Sequence, residues 1–366
     1  MPTLFDPLTL KGVTLRNRIA VAPMCQYQAV DGLPNDWHRV HYPALARGGA
    51  ALVVVEATGV SPEGRISPAC TGLWSDAHRD AFIPIVETIK AAGAVPGIQI
   101  AHAGRKASSN VPWEGDEHIP NEDPRGWQTI APSAIPFGKN LTKVPRAMTA
   151  DDIAGVQADF VAAARRADEA GFEWLMLHFA HGYLAQNFLS PLSNTRTDGY
   201  GGSAENRGRF LVETLAAVRK VWPEHKPLSV RLGVIEFDGR DDEEIDEAIA
   251  LVRRLKTEGL DFLDVSMGFS TPDASPPWGP AMLAPVARRV LAAVELPGST
   301  GWNIADPKTA DALVRNGSLD VVMLARPVLS NPHWPFHAAK ALSVENAAWI
   351  TLPPSYANSL ARYQLS

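Results

Sequence analysis

The sequence predicts an α/β chain folded as a single (β/α)8 barrel, with a capping excursion after the third strand. Short apolar runs rich in β-branched residues recur along it, as strands buried on both faces should. Each is followed by a polar loop and usually by a stretch of helical periodicity, and eight such alternations argue for a closed barrel. The length of 366 residues suits one barrel plus insertions. An open doubly wound sheet is the alternative reading of the same alternation.

Taken in order, the first three strands are read at residues 19–22, 51–56 and 95–100. A long irregular stretch follows at 103–148, with Pro112, Pro120, Pro124, Pro132, Pro136 and Pro145, and with Trp113 and Trp127. A segment of that length without periodicity is usually a functional cap; a solvated excursion is the plainer reading, and the two tryptophans weigh against it. Thr149-Ala-Asp-Asp152 reads as a capping box with Asp replacing Glu, and Ile153, Val156, Phe160, Val161 and Ala164 then share one helical face. The fourth strand, 173–177, runs into His178. A helix is predicted over 203–222, a strand at 228–232, a helix over 242–258, and strands at 262–265 and 296–300. Asp306-Pro307 pairs an N-cap with proline at the first helical position before the last strand, 321–324. The whole of 1–366 is read as one domain.

Hydrophobic residues make up 46% of the chain and charged residues 20%, which supports a sizeable core and excludes global disorder. The net charge is -6, the pI about 5.9, and no long Lys/Arg run occurs, so no nucleic-acid or anionic-membrane surface is expected. No apolar run reaches the ~20 residues a membrane span needs. The N-terminus lacks a signal-peptide layout. With only Cys25 and Cys70 there is no disulfide framework or Fe–S ligand set, and a reducing cytoplasm is the simplest home.

In a barrel, chemistry gathers where the strands end. The richest end is His178-Phe-Ala-His181-Gly-Tyr183, which delivers two imidazoles and a phenol before a turn at Gly182. Two imidazoles can hold one oxygen anion and a phenol can hand over a proton. The other ends supply Pro23-Met24-Cys25-Gln26-Tyr27, Ala57, Gln99, Arg231, Gly301-Trp302 and Ala325-Arg326. That set suits flavin mononucleotide (FMN). Arg231 can stabilise the charge a reduced flavin develops at N1 and O2, and Gln99 can match the pyrimidine edge. Arg326 and nearby backbone N–H groups can take the phosphate. Pro23 and Met24 can pack on the ring, and Cys25 can lie at the N5/O4 edge.

Each residue also has a plainer reading. An arginine on a strand is normally an ion-pair partner, and Cys25 alone reads as a small buried hydrophobe. Trp302 alone reads as core. His178 and His181 could be core histidines or the ligands of a metal-dependent hydrolase. Neither GxGxxG nor GxxxxGK[ST] occurs, so a separate nicotinamide domain is not expected. NADPH or NADH would then share one pocket with the substrate, in ping-pong fashion.

Together these residues resemble the Old Yellow Enzyme family of FMN-dependent ene-reductases. The resemblance spans Leu15-Arg-Asn-Arg-Ile-Ala-Val-Ala-Pro-Met-Cys-Gln-Tyr27, Gln99-Ile-Ala-His-Ala-Gly-Arg-Lys106 and His178-Phe-Ala-His-Gly-Tyr-Leu184. It continues through Phe188-Leu-Ser-Pro191, Asn194, Arg196, Asp198 and Tyr200-Gly-Gly-Ser-Ala-Glu-Asn-Arg207. The Pro-Met-Cys-Gln-Tyr signature and Trp302 are most similar to the xenobiotic-reductase and thermophilic-like branch. The resemblance implies FMN contacts at Pro23, Met24, Cys25, Ala57, Gln99, Arg231, Trp302, Ala325 and Arg326. It implies that Tyr27, His178, His181 and Tyr183 face the substrate. Enones, enals, maleimides and nitroalkenes are the expected substrates of an NAD(P)H-consuming reductase, with nitrate esters and nitroaromatics as side substrates. A homo-oligomer, dimer or tetramer, is expected. Two departures stand out: Ala325 replaces the usual Gly, and Tyr356-Ala-Asn-Ser359 lacks the Arg or Trp that relatives insert into a neighbouring subunit.

Overall fold

In a computed structural model that describes residues 1–363, eight parallel strands close into a barrel. They are β1 (Ile19–Val21), β2 (Leu52–Gly59), β3 (Val95–Ala101) and β4 (Trp174–Phe179), then β5 (Leu228–Gly233), β6 (Phe262–Ser266), β7 (Gly298–Thr300) and β8 (Val321–Leu324). Each pairs with its neighbours in chain order, and β8 closes on β1 through Val322 beside Ile19. The open-sheet alternative is therefore set aside. Strand β7 begins at Gly298 because Pro297, which precedes it, has no N–H for a ladder.

The helices packed outside are α1 (Asp36–Arg47), α2 (Asp76–Ala91), α3 (Ala150–Glu169), α4 (Arg209–Arg219), α5 (Asp241–Thr257), α6 (Ala284–Val294), α7 (Pro307–Arg315) and α8 (Trp334–Ala341). The capping box at Thr149 forms as read, with Asp152 N donating to Thr149 Oγ1 at 3.1 Å and Thr149 N to Asp152 Oδ2 at 2.8 Å. Asp306 caps α7 through Thr309 N at 2.8 Å. The helix predicted over 203–222 is two pieces, Ala204–Arg207 and α4, which meet at Gly208. There Leu251 of α5 approaches so closely that a Cβ on Gly208 would sit 2.9 Å from its Cδ1. No helix among the described residues is long and apolar enough to cross a membrane.

The barrel interior is layered. A hairpin that periodicity did not suggest, Leu8–Leu10 against Val13–Leu15, closes the floor. Its Val13 and Leu15 pack with Leu52, Trp174, Phe262 and Val321 in one apolar cluster. Trp174 meets Phe262 edge-on at 5.2 Å. Because side chains alternate along a strand, Trp174, Met176 and His178 all point inward, with His178 about 13 Å above Trp174 at ~3.3 Å per residue. Going up the barrel, the lining changes from apolar to polar.

Segment 103–148 has little regular structure beyond short 3₁₀ turns and a parallel pair, Ile130–Ala131 with Arg146–Ala147. Its anchors are polar. Trp127 Nε1 donates to Glu63 O at 2.9 Å, and Arg196 Nη1 to Pro132 O at 3.1 Å.

Candidate active site

Register decides which polar residues stand together. His178 on β4 pairs with Arg231 on β5, Arg231 with Asp264 on β6, and Asp264 with Ser299 on β7. Four neighbouring strands thus carry a buried polar belt. Arg231 Nε donates to Asp264 Oδ2, and Ser299 Oγ lies 2.7 Å from Asp264 Oδ1. Arg231 is therefore both the ion-pair partner that its position on a strand suggested and a wall of the main cavity at this end. Ala57 and Gln99 are register partners, and Gln99 pairs with Met176, two residues before His178.

The loop after β4 presents the imidazoles and the phenol. His181 and Gly182 take left-handed backbone (φ 61 and 68), and a Cβ on Gly182 would lie 2.3 Å from Phe269 O, so only glycine fits that turn. The His178 ring sits 4.9 Å from both the His181 and the Tyr183 rings, nearly perpendicular to each. Ala180 N donates to His178 Nδ1 at 3.3 Å, which leaves Nε2 to carry the ring proton. His181 Nε2 lies 2.7 Å from Ser266 Oγ, which also accepts from Trp302 Nε1 at 3.2 Å. Since an indole only donates, the serine proton is free to point at His181 Nε2, leaving Nδ1–H to face a ligand.

Electrostatics keep these groups neutral. Burial, followed by the nearby Arg231 and Lys106 charges, holds His178 well below the usual histidine range. Burial acts in the same way on His181, reinforced by His178. Burial pushes the Tyr183 and Tyr27 phenols up, so both remain protonated donors. Lys106, pushed down to about 7 by burial, donates from Nζ to His181 O at 2.8 Å and Phe269 O at 2.9 Å, and sits 4.0 Å over the Phe137 ring. It ties the loops after β4 and β6 to segment 103–148; Arg105 adds a second tie to the loop after β6 through Ser270 O at 2.5 Å, and braces its own segment through Pro136 O at 3.1 Å.

The loop after β1 is held by a bulge in β2. The register shift between Val55 and Ala57 frees Glu56, whose carboxylate accepts from Tyr42 OH at 2.8 Å and Gln26 N at 2.9 Å. Cys25 stands beside Cys70, and that contact, then burial, pushes its thiol up. Spacing gave no hint of this neighbour: Ala29 N bonds Ala69 O at 3.0 Å and folds the two segments together.

A cavity of about 360 Å³ opens at this end, within the range of small-molecule sites. Pro23, His181 and Arg231 line it, as do Gly301, Trp302, Ala325 and Arg326. Met24, Cys25 and Tyr27 are half-buried in the loop just beyond Pro23, while Ala57 and Gln99 lie on β2 and β3 outside its lining. The donor set fits FMN. Among the described residues the Arg231 terminal nitrogens have no hydrogen-bond partner and the buried Gln99 amide has only the Met176 sulfur, a weak acceptor at 3.2 Å, while Arg326 is exposed at the cavity wall. Ala325 has φ -111, outside the left-handed region that favours glycine. The residues that sequence reading missed are Asp264, Ser266, Lys106 and Glu56. A charged residue inside the apolar run Phe262-Leu-Asp-Val-Ser266 was the available signal for the first two. Among the described residues the His, Cys, Asp and Glu side chains close enough to share one ion are Asp238, Asp241 and Glu244; His178 and His181 have no third ligand.

Residues 3–345 match the model of the NADH:flavin oxidoreductase / NADH oxidase family. An NADPH dehydrogenase of Geobacillus thermodenitrificans is 42% identical over 344 residues, covering 93% of this chain and 95% of that one. Morphinone reductase in complex with tetrahydroNAD is similar with a TM-score of 0.78 at 30% identity, covering 93% of this chain and 91% of its own. The old yellow enzyme homologue from Zymomonas mobilis has a TM-score of 0.78 at 29% identity, covering 100% of both chains.

Proposed function

The chain belongs to the NADH:flavin oxidoreductase / NADH oxidase family, an Old Yellow Enzyme relative that uses FMN and NAD(P)H, and from that premise we propose that it reduces the C=C bond of activated alkenes. The observation that carries this reading is the neutral His178–His181 pair, with Tyr183 4.9 Å from His178 and His181 lining the cavity wall. Enones, enals, maleimides and nitroalkenes offer one oxygen to that pair, and nitrate esters and nitroaromatics offer the same kind of oxygen.

Bound FMN would supply two-electron hydride chemistry linking NAD(P)H oxidation to alkene reduction. Arg231, Gln99, Ala57, Gly301, Trp302, Ala325 and Arg326 would hold it, with Pro23, Met24 and Cys25 against the ring. His178 Nε2–H and His181 Nδ1–H grip the substrate oxygen and stabilise the charge that grows there as the β-carbon is reduced. Tyr183, kept protonated by burial, or a nearby water delivers a proton to the α-carbon. Tyr27 and Trp302 flank the substrate. Segment 103–148 caps the site, its Trp113 edge-on to Tyr27 at 5.8 Å. Morphinone reductase binds tetrahydroNAD, and with no GxGxxG for a separate nicotinamide domain nicotinamide and alkene use one pocket in turn. A cytoplasmic homo-oligomer completes the proposal.

The test is anaerobic. NADPH-reduced enzyme is mixed with cyclohex-2-enone, flavin reoxidation is followed, and cyclohexanone is assayed. Reoxidation no faster than without enone would refute the reading. His178→Ala and His181→Ala should each weaken phenol binding by roughly 1.5–3 kcal/mol, one charge-stabilising hydrogen bond.

A further inference from the structure

The Arg231–Asp264–Ser299 belt carries more than cofactor placement. Asp264 is 1% exposed, so little solvent screens its charge. Its two oxygens have different partners, Oδ2 the guanidinium Nε–H and Oδ1 the Ser299 hydroxyl at 2.7 Å. Arg231 makes no other side-chain hydrogen bond to a described residue, and both it and Asp264 line the cavity. One edge of the guanidinium is thus tied to a buried anion while the other is open. A guanidinium paired with a carboxylate projects a smaller field than a lone one, because the two charges partly cancel a few ångströms away.

We propose that Asp264 is a positioning residue that sets the reduction potential of the flavin. It tempers the charge that Arg231 presents to the N1–O2 edge, and Ser299 tempers Asp264 in turn. The inference rests on the placement of Arg231 beside the flavin proposed above. Two-electron reduction leaves negative charge on that edge, so a more fully cationic Arg231 favours the reduced form. The pairing with Asp264 also aims the guanidinium. With Nε held against β6, Arg231 still lines the cavity.

The two substitutions are expected to act in opposite directions. Asp264→Asn keeps the shape and an oxygen for Arg231 but removes the charge. The FMN midpoint potential of the holoenzyme should move positive, the reduced flavin being favoured about tenfold more, which is ~30 mV for a two-electron couple. Sulfite, which adds at flavin N5 and leaves negative charge at N1–O2, should bind more tightly by a similar factor. Ser299→Ala withdraws a donor from the carboxylate, leaves more negative charge facing Arg231, and should move the potential negative and weaken sulfite binding. These readouts need no alkene. If Arg231→Met alters neither FMN retention nor potential, the placement of Arg231 fails. If Arg231→Met alters them while Asp264→Asn does not, the inference about Asp264 is overturned. Shifts of the same sign in Asp264→Asn and Ser299→Ala would mean general loosening and would also overturn it. Should Asp264→Asn not fold, Ser299→Ala decides alone, an unchanged potential counting against the proposal.

Discussion

Replacing Ser266 with alanine removes the side-chain contact that orients the His181 ring. Ser266 Oγ is 2.7 Å from His181 Nε2 and 3.2 Å from Trp302 Nε1, on a residue only 2% exposed. A Ser266 hydroxyl that donates to Nε2 places the ring proton of His181 on Nδ1 and fixes the ring plane. Without it the neutral imidazole divides between tautomers. If the two are equal, half the molecules can grip an anion and affinity falls about twofold, ~0.4 kcal/mol. The lost orienting hydrogen bond adds ~0.5–1.5 kcal/mol. The dissociation constant for a phenol should therefore rise roughly 5- to 25-fold, since each ~1.4 kcal/mol is a factor of ten. Phenol is titrated into oxidised enzyme and read by the long-wavelength charge-transfer band, with FMN content measured in parallel. An unchanged constant in Ser266→Ala, with a weakened one in His181→Ala, would refute the idea that the serine sets the tautomer. Unchanged constants in both would remove His181 from the site.

Tyr183→Phe should leave flavin reduction by NAD(P)H nearly intact and slow reoxidation by cyclohexenone, by up to about 10²–10⁴-fold, with nitroalkenes less affected; equal slowing of both half-reactions in stopped flow would point to positioning instead. Cys25→Ser should shift the flavin potential with the fold intact, since a hydroxyl replaces a softer thiol at the ring edge, and a potentiometric titration matching wild type would leave Cys25 as packing. His102, 1% exposed, is pushed from 6.5 down to about 4 by burial. The unfolded chain then binds a proton that the folded chain refuses, so stability is full above about pH 6.5 and falls as the pH drops toward 4, by up to ~1.4 kcal/mol per unit for this residue. Urea midpoints between pH 7 and pH 5 measure that slope. His102→Gln should flatten it by about one proton, and an unaltered slope would mean that the fold tolerates a charged His102.

Local periodicity made much of this protein legible before any contact was known. Each barrel strand is a short β-branched run that cannot bury itself except between neighbours, so strands 19–22 through 321–324 fall within a few residues of the observed ones. The capping box at Thr149 and the Asp306-Pro307 start were readable because capping bonds close over three residues. Inward positions on a single strand, such as Trp174, Met176 and His178, follow from a period of two. The turn at Gly182 could be read because a residue without Cβ marks where backbones approach.

Partnership across strands could not be read, because it depends on barrel stagger, which no single segment encodes. Asp264 reads in sequence as an odd charge in an apolar run; only register sets it between Arg231 and Ser299. Ser266 reads as a strand end; only the left-handed turn at His181 brings an imidazole to it. Cys25 and Cys70 lie far apart in the chain and meet through a loop-to-loop backbone bond. The sequence by itself determined the chemistry available at the strand ends, since residue type and period are local properties. The tertiary structure alone decided which of those groups touch, and with that which imidazole nitrogen carries a proton and how much of the Arg231 charge is free, because burial and pairing arise only when distant strands close into one barrel.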